Sequence, residues 1–251
     1  MERRNTKSRL DQLLFERGLA ESRERAQRLI LGGFVRVKGQ KIEKAGQQVM
    51  PDAEVEVIGP DSPFVSRGGT KLAQALSFFR LEVSGRVALD VGASRGGFTD
   101  CLLQAGASRV YAVDVGYGQL AWKLRQDPRV VSIERQNIRT LALKQIPEPI
   151  DLSVVDVSFI SLRLVLPRVV EFLQPSGNLV ALIKPQFEVG RKEVERRGII
   201  RSVEKHSRVV SEITELCRTL FLEVVGVTPS PILGQQGNRE FLIFCRYPKH
   251  G

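Results

Sequence analysis

Between residues 87 and 183 the sequence repeats one alternation, a short apolar run followed by a stretch of helical periodicity. The runs are VALDVG, RVYAVDVG, RVVSIE, DLSVVDVS and NLVALIKP; helical stretches such as 96–105 and 161–173 lie between them, and 202–220 follows the last. Runs this short and this uniformly apolar suit strands buried on both faces, and strands regularly separated by helices predict a parallel sheet wound on both sides. The helical run KLAQALSFF leads into the first strand. The end of the chain departs from the pattern. LEVVGVTPSP and REFLIFCRYP are joined by a short glycine-rich loop, which permits an antiparallel pair but no crossover helix.

The first part of the chain follows a different pattern. Residues 8–31 read as two short amphipathic helices that meet at Gly18, the first capped by Ser8 with Asp11 at the capping-box position, the second starting after Ser22. Gly32-Gly33 closes the second helix, and FVRVKGQKI and AEVEVIG then alternate as strands around a turn at Gly39. The first 44 residues hold 12 Lys and Arg against 6 Asp and Glu, with Arg23, Arg25 and Arg28 on the second helix and Arg36, Lys38 and Lys41 just beyond it. The whole chain carries 38 Lys and Arg against 28 Asp and Glu, a net charge of +10, which favours a polyanionic partner. Clustered on one helix and the turn after it, these cations predict a small α+β RNA-binding domain over residues 1–59. The segment GPDSPFVSRGG breaks periodicity and places a linker at 60–68, leaving 69–251 for the larger α/β domain.

Several chemistries have little to build on. Cys101, Cys217 and Cys245 are odd in number and show no CxxC spacing, so they read as small buried apolar residues rather than disulfide partners or zinc ligands. With only His206 and His250, a Ser-His-Asp hydrolase is disfavoured. No apolar run approaches the roughly 18 residues of a membrane span, and the start MERRNTKSRL lacks a signal-peptide core, so a cytoplasmic protein is expected.

The sequence DVGASRGGF at 90–98 sits where the first strand of the larger domain turns into a helix, at the edge where ligands bind in such sheets. Read as GxGxxG from Gly92, its middle glycine is Ser94, which compromises the close approach that a pyrophosphate requires. S-adenosylmethionine has no pyrophosphate and fits better, its amino-acid end held by the loop of Gly92, Ala93, Ser94, Gly96 and Gly97, with Asp90 facing its ammonium group. Asp114, ending the next strand, is placed to accept from ribose hydroxyls, although NAD sites use an acidic residue the same way. The antiparallel strand near the end weighs for a Rossmann-like methyltransferase sheet, since dinucleotide dehydrogenases lack that terminal hairpin.

Charge recurs at other strand ends. Asp156 ends DLSVVD, Lys184 ends NLVALIKP, Glu240 opens REFLIF, and Lys71 begins the domain's first helix behind SRGGT. The topology would bring all four over the cofactor pocket. The loop after Lys184 holds Arg191, Lys192, Arg196, Arg197 and Arg201 and is either a lid that grips phosphates or a solvated surface loop. Trp122 either packs in the core or flanks a base.

SRGGTKL at 66–72, DVGASRGGFTD at 90–100, DVGYGQL at 114–120, DVSFISL at 156–162, IKPQFEVG at 183–190 and SPILGQQGNREF at 230–241 occur in an order that resembles the TlyA-type 2′-O-methyltransferases, a family also called hemolysin A. Its catalytic half is similar to the FtsJ-like RNA methyltransferases. The resemblance implies that residues 1–59 are the RNA-binding module named after ribosomal protein S-four. It also implies that Lys71, Asp156, Lys184 and Glu240 form a Lys-Asp-Lys-Glu tetrad and that the substrate is cytidine ribose in ribosomal RNA, free or in a subunit. Arg95 departs from the pattern, in which a small residue is expected. Chemically, a ribose hydroxyl is a weak nucleophile, and a lysine whose neutral form is favoured by nearby positive charge and burial can take its proton. Lys184 is the residue expected to do so, with Asp156 and Glu240 orienting it. The alternatives are a membrane-active cytolysin, for which the sequence has no spanning or interfacial helix, and a noncatalytic RNA-binding protein, against which the intact charged strand ends argue.

Overall fold

A computed structural model describes residues 7–20, 22–57, 63–190, 193–194, 198–234 and 237–249. The chain divides into two units, residues 1–62 and 63–251.

The first unit is built from β1 (Ser8–Arg9), α1 (Leu10–Glu16), α2 (Arg23–Leu31), β2 (Val35–Val37), β3 (Gln40–Ile42), β4 (Gln48–Val49) and β5 (Val55–Val57). Leu10, Leu13 and Leu14 of α1 and Ala26, Leu29 and Ile30 of α2 recur at helical spacing and close on Val35, Val49 and Ala53. Strands β2 and β3 form a hairpin through Lys38-Gly39, both at positive φ, so that Arg36 stands opposite Lys41. Ser22 caps α2, accepting from the Arg25 amide. Ser8 does not cap α1, contrary to the sequence-based expectation: it lies in β1 opposite Val49, and α1 starts from Arg9 with no side-chain cap. The Asp11 carboxylate is fully buried and receives Arg9 at 2.9 Å, Gln27 at 2.8 Å and Arg23 at 3.5 Å, so it ties α1 to α2 rather than closing a capping box.

The second unit opens with α3 (Arg67–Phe78) and continues through β6 (Val87–Val91), α4 (Gly97–Gln104), β7 (Arg109–Val113), α5 (Trp122–Arg125), β8 (Val130–Ile133), β9 (Ile150–Val155), α6 (Leu162–Val170), β10 (Leu173–Ile183), α7 (Pro185–Glu188), α8 (Val203–Thr219), β11 (Glu223–Pro229) and β12 (Phe241–Arg246). The sheet has the order β11-β12-β10-β9-β6-β7-β8. The strands from β10 to β8 are parallel, and β12 runs antiparallel between β10 and β11, as the short terminal loop requires. Burial alternates with period two. Leu89, Val91, Val113, Leu179, Ala181, Ile183 and Ile243 face one core with α6 and α8, whereas Ala88, Val110, Leu152, Val154, Val180, Leu182 and Phe244 face the other with α3 and α4. Cys101, Cys217 and Cys245 are all buried in these cores. Trp122 is 73% exposed at the start of α5, so the core role weighed for it is not the one it has. Among the described residues, no helix is long and apolar enough to cross a membrane.

Helix α3 begins at Arg67, so Arg67 and Gly68, expected in the linker, belong to its first turn. Two elements come unusually close here: a side chain at Gly97, the first residue of α4, would run into Ser66 Oγ and the Gly69 amide. Glycine at these positions lets the start of α3 lie against the start of α4, and that contact carries Lys71 to the edge of the sheet.

The Arg9 guanidinium holds the Asp11 carboxyl well below the usual carboxylate range. A depressed folded pKa contributes stability that is complete above the unfolded value near 3.9 and disappears as pH falls through the folded value. Asp11→Ala is therefore expected to destabilise the first unit by about 1–3 kcal/mol at neutral pH, with the deficit shrinking in strong acid. Amide exchange across residues 8–57 in the full chain, read at several pH values, measures it.

Candidate active site

Strand order reverses between β6 and β9, which are hydrogen-bonded neighbours with their connections leading to opposite sides. The crevice outside the carboxyl ends of such strands is where ligands bind in open α/β sheets. Here the loop after β6 and the loop after β9 line it together. The Asp156 amide donates to Val91 O at 2.9 Å, and Gly92, at φ +86°, leaves room for the Asp156 carbonyl, which a Cβ would approach to 2.6 Å.

A cavity of about 490 Å³ opens beside this junction, lined by Gly92, Ser94, Asp114, Gln119, Asn137 and Phe159 among others. Its size is in the range of small-molecule sites. Two backbone amides fix the Asp114 carboxylate, Ser94 N at 2.8 Å and Gly116 N at 2.6 Å. Of the residues expected to hold the cofactor, Gly92, Ser94 and Asp114 line the cavity, whereas Asp90, Ala93, Gly96 and Gly97 do not. Gly96 packs on Leu120 and Leu124, and Gly97 on α3. Asp90 alternates with Leu89 and Val91 and so points to the α3 and α4 side, where Thr99 gives its Oδ2 two hydrogen bonds, from the amide at 2.9 Å and the hydroxyl at 2.6 Å. Its Oδ1 is buried with no partner, and burial pushes the carboxyl up to about 7.

A second cavity of about 360 Å³ is lined by Lys71, Ser158, Phe159, Lys184, Gln186, Phe187, Val194, Gly198 and Glu240. Ser158 and Phe159 belong to both walls. The four charged residues singled out in the sequence meet here as two ion pairs: Lys71 Nζ lies 2.5 Å from Glu240 Oε2, and Lys184 Nζ lies 2.6 Å from Asp156 Oδ1. The two lysine side chains are 10% and 9% exposed, and Glu240 is 3% exposed. Each arrives by a different route. Lys71 comes from the first turns of α3, Asp156 from the end of β9 and Lys184 from the end of β10. Glu240 precedes β12, and its loop is pinned by Asn238, whose side chain receives the Ile200 amide and donates to Gly198 O, both at 2.8 Å. His206 Nε2 lies 3.0 Å from Ile200 O, buried in a structural contact. Two features of this cavity were not singled out in the sequence. Lys184 Nζ donates to Ser158 Oγ at 2.8 Å. Phe159, 91% exposed at φ +63°, sets its ring 5.0 Å from that of Phe187. Both stand in the DVSFISL motif, but neither a serine two residues past an aspartate nor a phenylalanine in a loop points by itself to a role.

In the first unit the predicted RNA contacts have unequal surroundings. Arg28, Arg36 and Lys38 are exposed, Arg25 is half-buried, Arg23 reaches back to Asp11, and Lys41 pairs with Glu43 at 2.5 Å while its stem lies over Gly33 at the end of α2. Of the basic loop, Arg191, Lys192, Arg196 and Arg197 lie outside the described residues. No group of three or more His, Cys, Asp or Glu among the described residues is arranged to hold a metal ion.

Comparison with known proteins adds the lineage. Residues 64–247 match the FtsJ-like methyltransferase family and residues 8–55 match the S4 domain. YqxC of Bacillus subtilis (strain 168) is 46% identical over 249 residues, 98% of this chain and 88% of that protein. The 16S/23S rRNA (cytidine-2′-O)-methyltransferase TlyA of Mycobacterium tuberculosis (strain H37Rv) is 44% identical over 96% of this chain and 90% of its own length. A solved structure from Streptococcus thermophilus that bears the hemolysin label superposes with a TM-score of 0.77 at 42% identity, covering 97% of this chain and 90% of that one. With an S4 domain ahead of it and a paired set of lysines and carboxylates at the sheet edge, the chain belongs to the FtsJ-like methyltransferase family.

Proposed function

We propose that this protein transfers a methyl group from S-adenosylmethionine to the 2′-hydroxyl of a cytidine ribose in ribosomal RNA, acting in the cytoplasm on the free RNA or a ribosomal subunit. The observation that carries this reading is the pairing of Lys71 with Glu240 and of Lys184 with Asp156 in a cavity that shares its wall with the one containing Asp114. Three of these four ionisable groups, Lys71, Lys184 and Glu240, are buried, which is costly for stability alone. Grouped beside a small-molecule cavity they suit a proton-transfer step.

The cofactor's fit rests on two features. Asp114, held by two amides, keeps acceptor capacity for ribose hydroxyls. Ser94, standing where a pyrophosphate loop needs glycine, suits a ligand without phosphates. S-adenosylmethionine supplies an electrophilic methyl carbon on a sulfonium. Lys184 takes the proton from the ribose hydroxyl as its oxygen bonds to the methyl carbon and the carbon–sulfur bond breaks, leaving its electron pair on sulfur. Lys71, held by Glu240, brings an ammonium group to the wall of the same cavity, available to the oxygen as it loses its proton. The exposed ring of Phe159 offers a flat face on which the base of that nucleotide can stack. Arg28, Arg36, Lys38 and Lys41, with Arg23 and Arg25, bind phosphates from the S4 domain.

Four variants test the reading. Lys184→Ala should lower single-turnover methyl transfer to RNA by about 10²–10⁴-fold, with cofactor binding by calorimetry unchanged. Lys184→Arg should be nearly as inactive, because a guanidinium does not give up its proton; substantial activity in that variant would show that positive charge alone suffices. Asp114→Ala should weaken cofactor binding by about 1–3 kcal/mol, and NAD should not bind to the native protein. Replacing Arg36 and Lys41 together by alanine should weaken RNA binding and lower the slope of log affinity against log salt by about two, since each phosphate contact accounts for roughly one released counterion. An unchanged slope would remove these residues from the RNA interface.

A further inference from the structure

We propose that Ser158 is a positioning residue for Lys184, fixing the rotation of its amine so that the lone pair faces the ribose hydroxyl. The inference rests on the methyl-transfer reading above and adds a residue to its machinery.

In the form that can take a proton, a lysine amine has two N–H bonds and one lone pair. Lys184 Nζ donates to Ser158 Oγ at 2.8 Å, and that bond fixes the direction of one N–H. Asp156 Oδ1 lies 2.6 Å from the amine but forms no hydrogen bond with it, so it attracts without setting a direction, and its charge favours the second N–H over the lone pair on its own side. The remaining tetrahedral position, on the side of the cavity that Lys184 lines with Lys71 and Glu240, is left for the lone pair. Asp156 alone would leave the amine free to turn about the Cε–Nζ bond, so that the lone pair and the N–H bonds exchange places. Ser158 removes that freedom. Once the amine has taken the hydroxyl proton, its new N–H points at the newly methylated oxygen while Ser158 still holds the first, so the step requires no reorientation.

The placement of Ser158 suits the task. It follows Asp156 by two residues on the loop after β9, and it belongs to the walls of both cavities. The loop is itself anchored: Glu188 of α7 accepts from Ser161 Oγ at 2.5 Å and from the Leu162 amide at 2.8 Å, which ties the start of α6 to the segment that carries Lys184. The donor and its acceptor are therefore held in register by side chains outside the cavity.

The test uses the full chain with Ser158→Ala and Ser158→Thr, S-adenosylmethionine and ribosomal RNA. Ser158→Ala should lose about tenfold in single-turnover rate at saturating cofactor and RNA, the equivalent of one hydrogen bond, while cofactor affinity stays within about twofold. Ser158→Thr, which retains the hydroxyl, should recover most of the rate. An alanine variant with the native rate overturns the proposal, and so does a loss of rate matched by an equal loss of cofactor affinity, because Ser158 would then be a cofactor contact. A readout independent of turnover separates this from the functional reading. In ¹⁵N-lysine-labelled protein the Lys184 Nζ signal, assigned with Lys184→Arg, should shift and its protons should exchange faster in Ser158→Ala. If the native protein transfers no methyl group, the functional reading fails; an unmoved Lys184 signal sinks the positioning role by itself.

Discussion

Where strand order reverses between β6 and β9, two loops leave the sheet side by side, and the site depends on the crevice between them. The constraint is steric before it is chemical. The Asp156 carbonyl lies so close to Gly92 that no side chain fits, and the amide of the same residue is bonded to Val91. The end of β9 is thereby locked against the end of β6, and Asp156 is delivered to the wall of the cavity that contains Asp114, within ion-pair distance of Lys184. A second tight contact, α3 against α4 at Gly97, brings Lys71 to the same edge from the other direction.

The paired charges follow from this geometry. Lys71, Lys184 and Glu240 are almost entirely removed from water, and desolvation opposes the attraction within each pair. Apolar residues of similar size would serve the core at least as well. What the pairs provide is a fixed arrangement of donors and acceptors in a place where water is scarce, so that electrostatic effects on a reacting oxygen are strong and need no rearrangement. The S4 domain solves a different problem. Its buried Asp11 gathers Arg9, Gln27 and Arg23 and so organises two short helices that have little core of their own, while Arg28, Arg36 and Lys38 stay at the surface.

Much of this was legible in the sequence because the signals were periodic. Strands buried on both faces are apolar at nearly every position, so VALDVG and NLVALIKP announced themselves, and the short loop before REFLIF dictated an antiparallel partner. Charge at strand ends located Asp156, Lys184 and Glu240, and the same logic placed Asp114 on a cavity wall. The misses have physical causes. Gly68 and Gly69 disfavour a helix locally, yet α3 runs through them, with Gly69 leaving room for Phe64 and Gly97 of α4 leaving room for the start of α3. Ser8 looks like a cap by spacing, but strand pairing with Val49 and the pull of Arg9 on Asp11 outweigh it. Gly96 and Gly97 read as ligand-facing glycines and instead make room for Leu120, Leu124 and Ser66. Ser158 has no local signature, since its partner is 26 residues away.

The central claim is that the acceptor is a ribose oxygen, and the nucleoside produced tests it most directly. Ribosomal RNA treated with the protein and S-adenosylmethionine can be digested completely to nucleosides and analysed by mass spectrometry. The account predicts 2′-O-methylcytidine, with the extra mass on the ribose fragment. A methyl group on the base, or RNA that gains no methyl group at all, would contradict it.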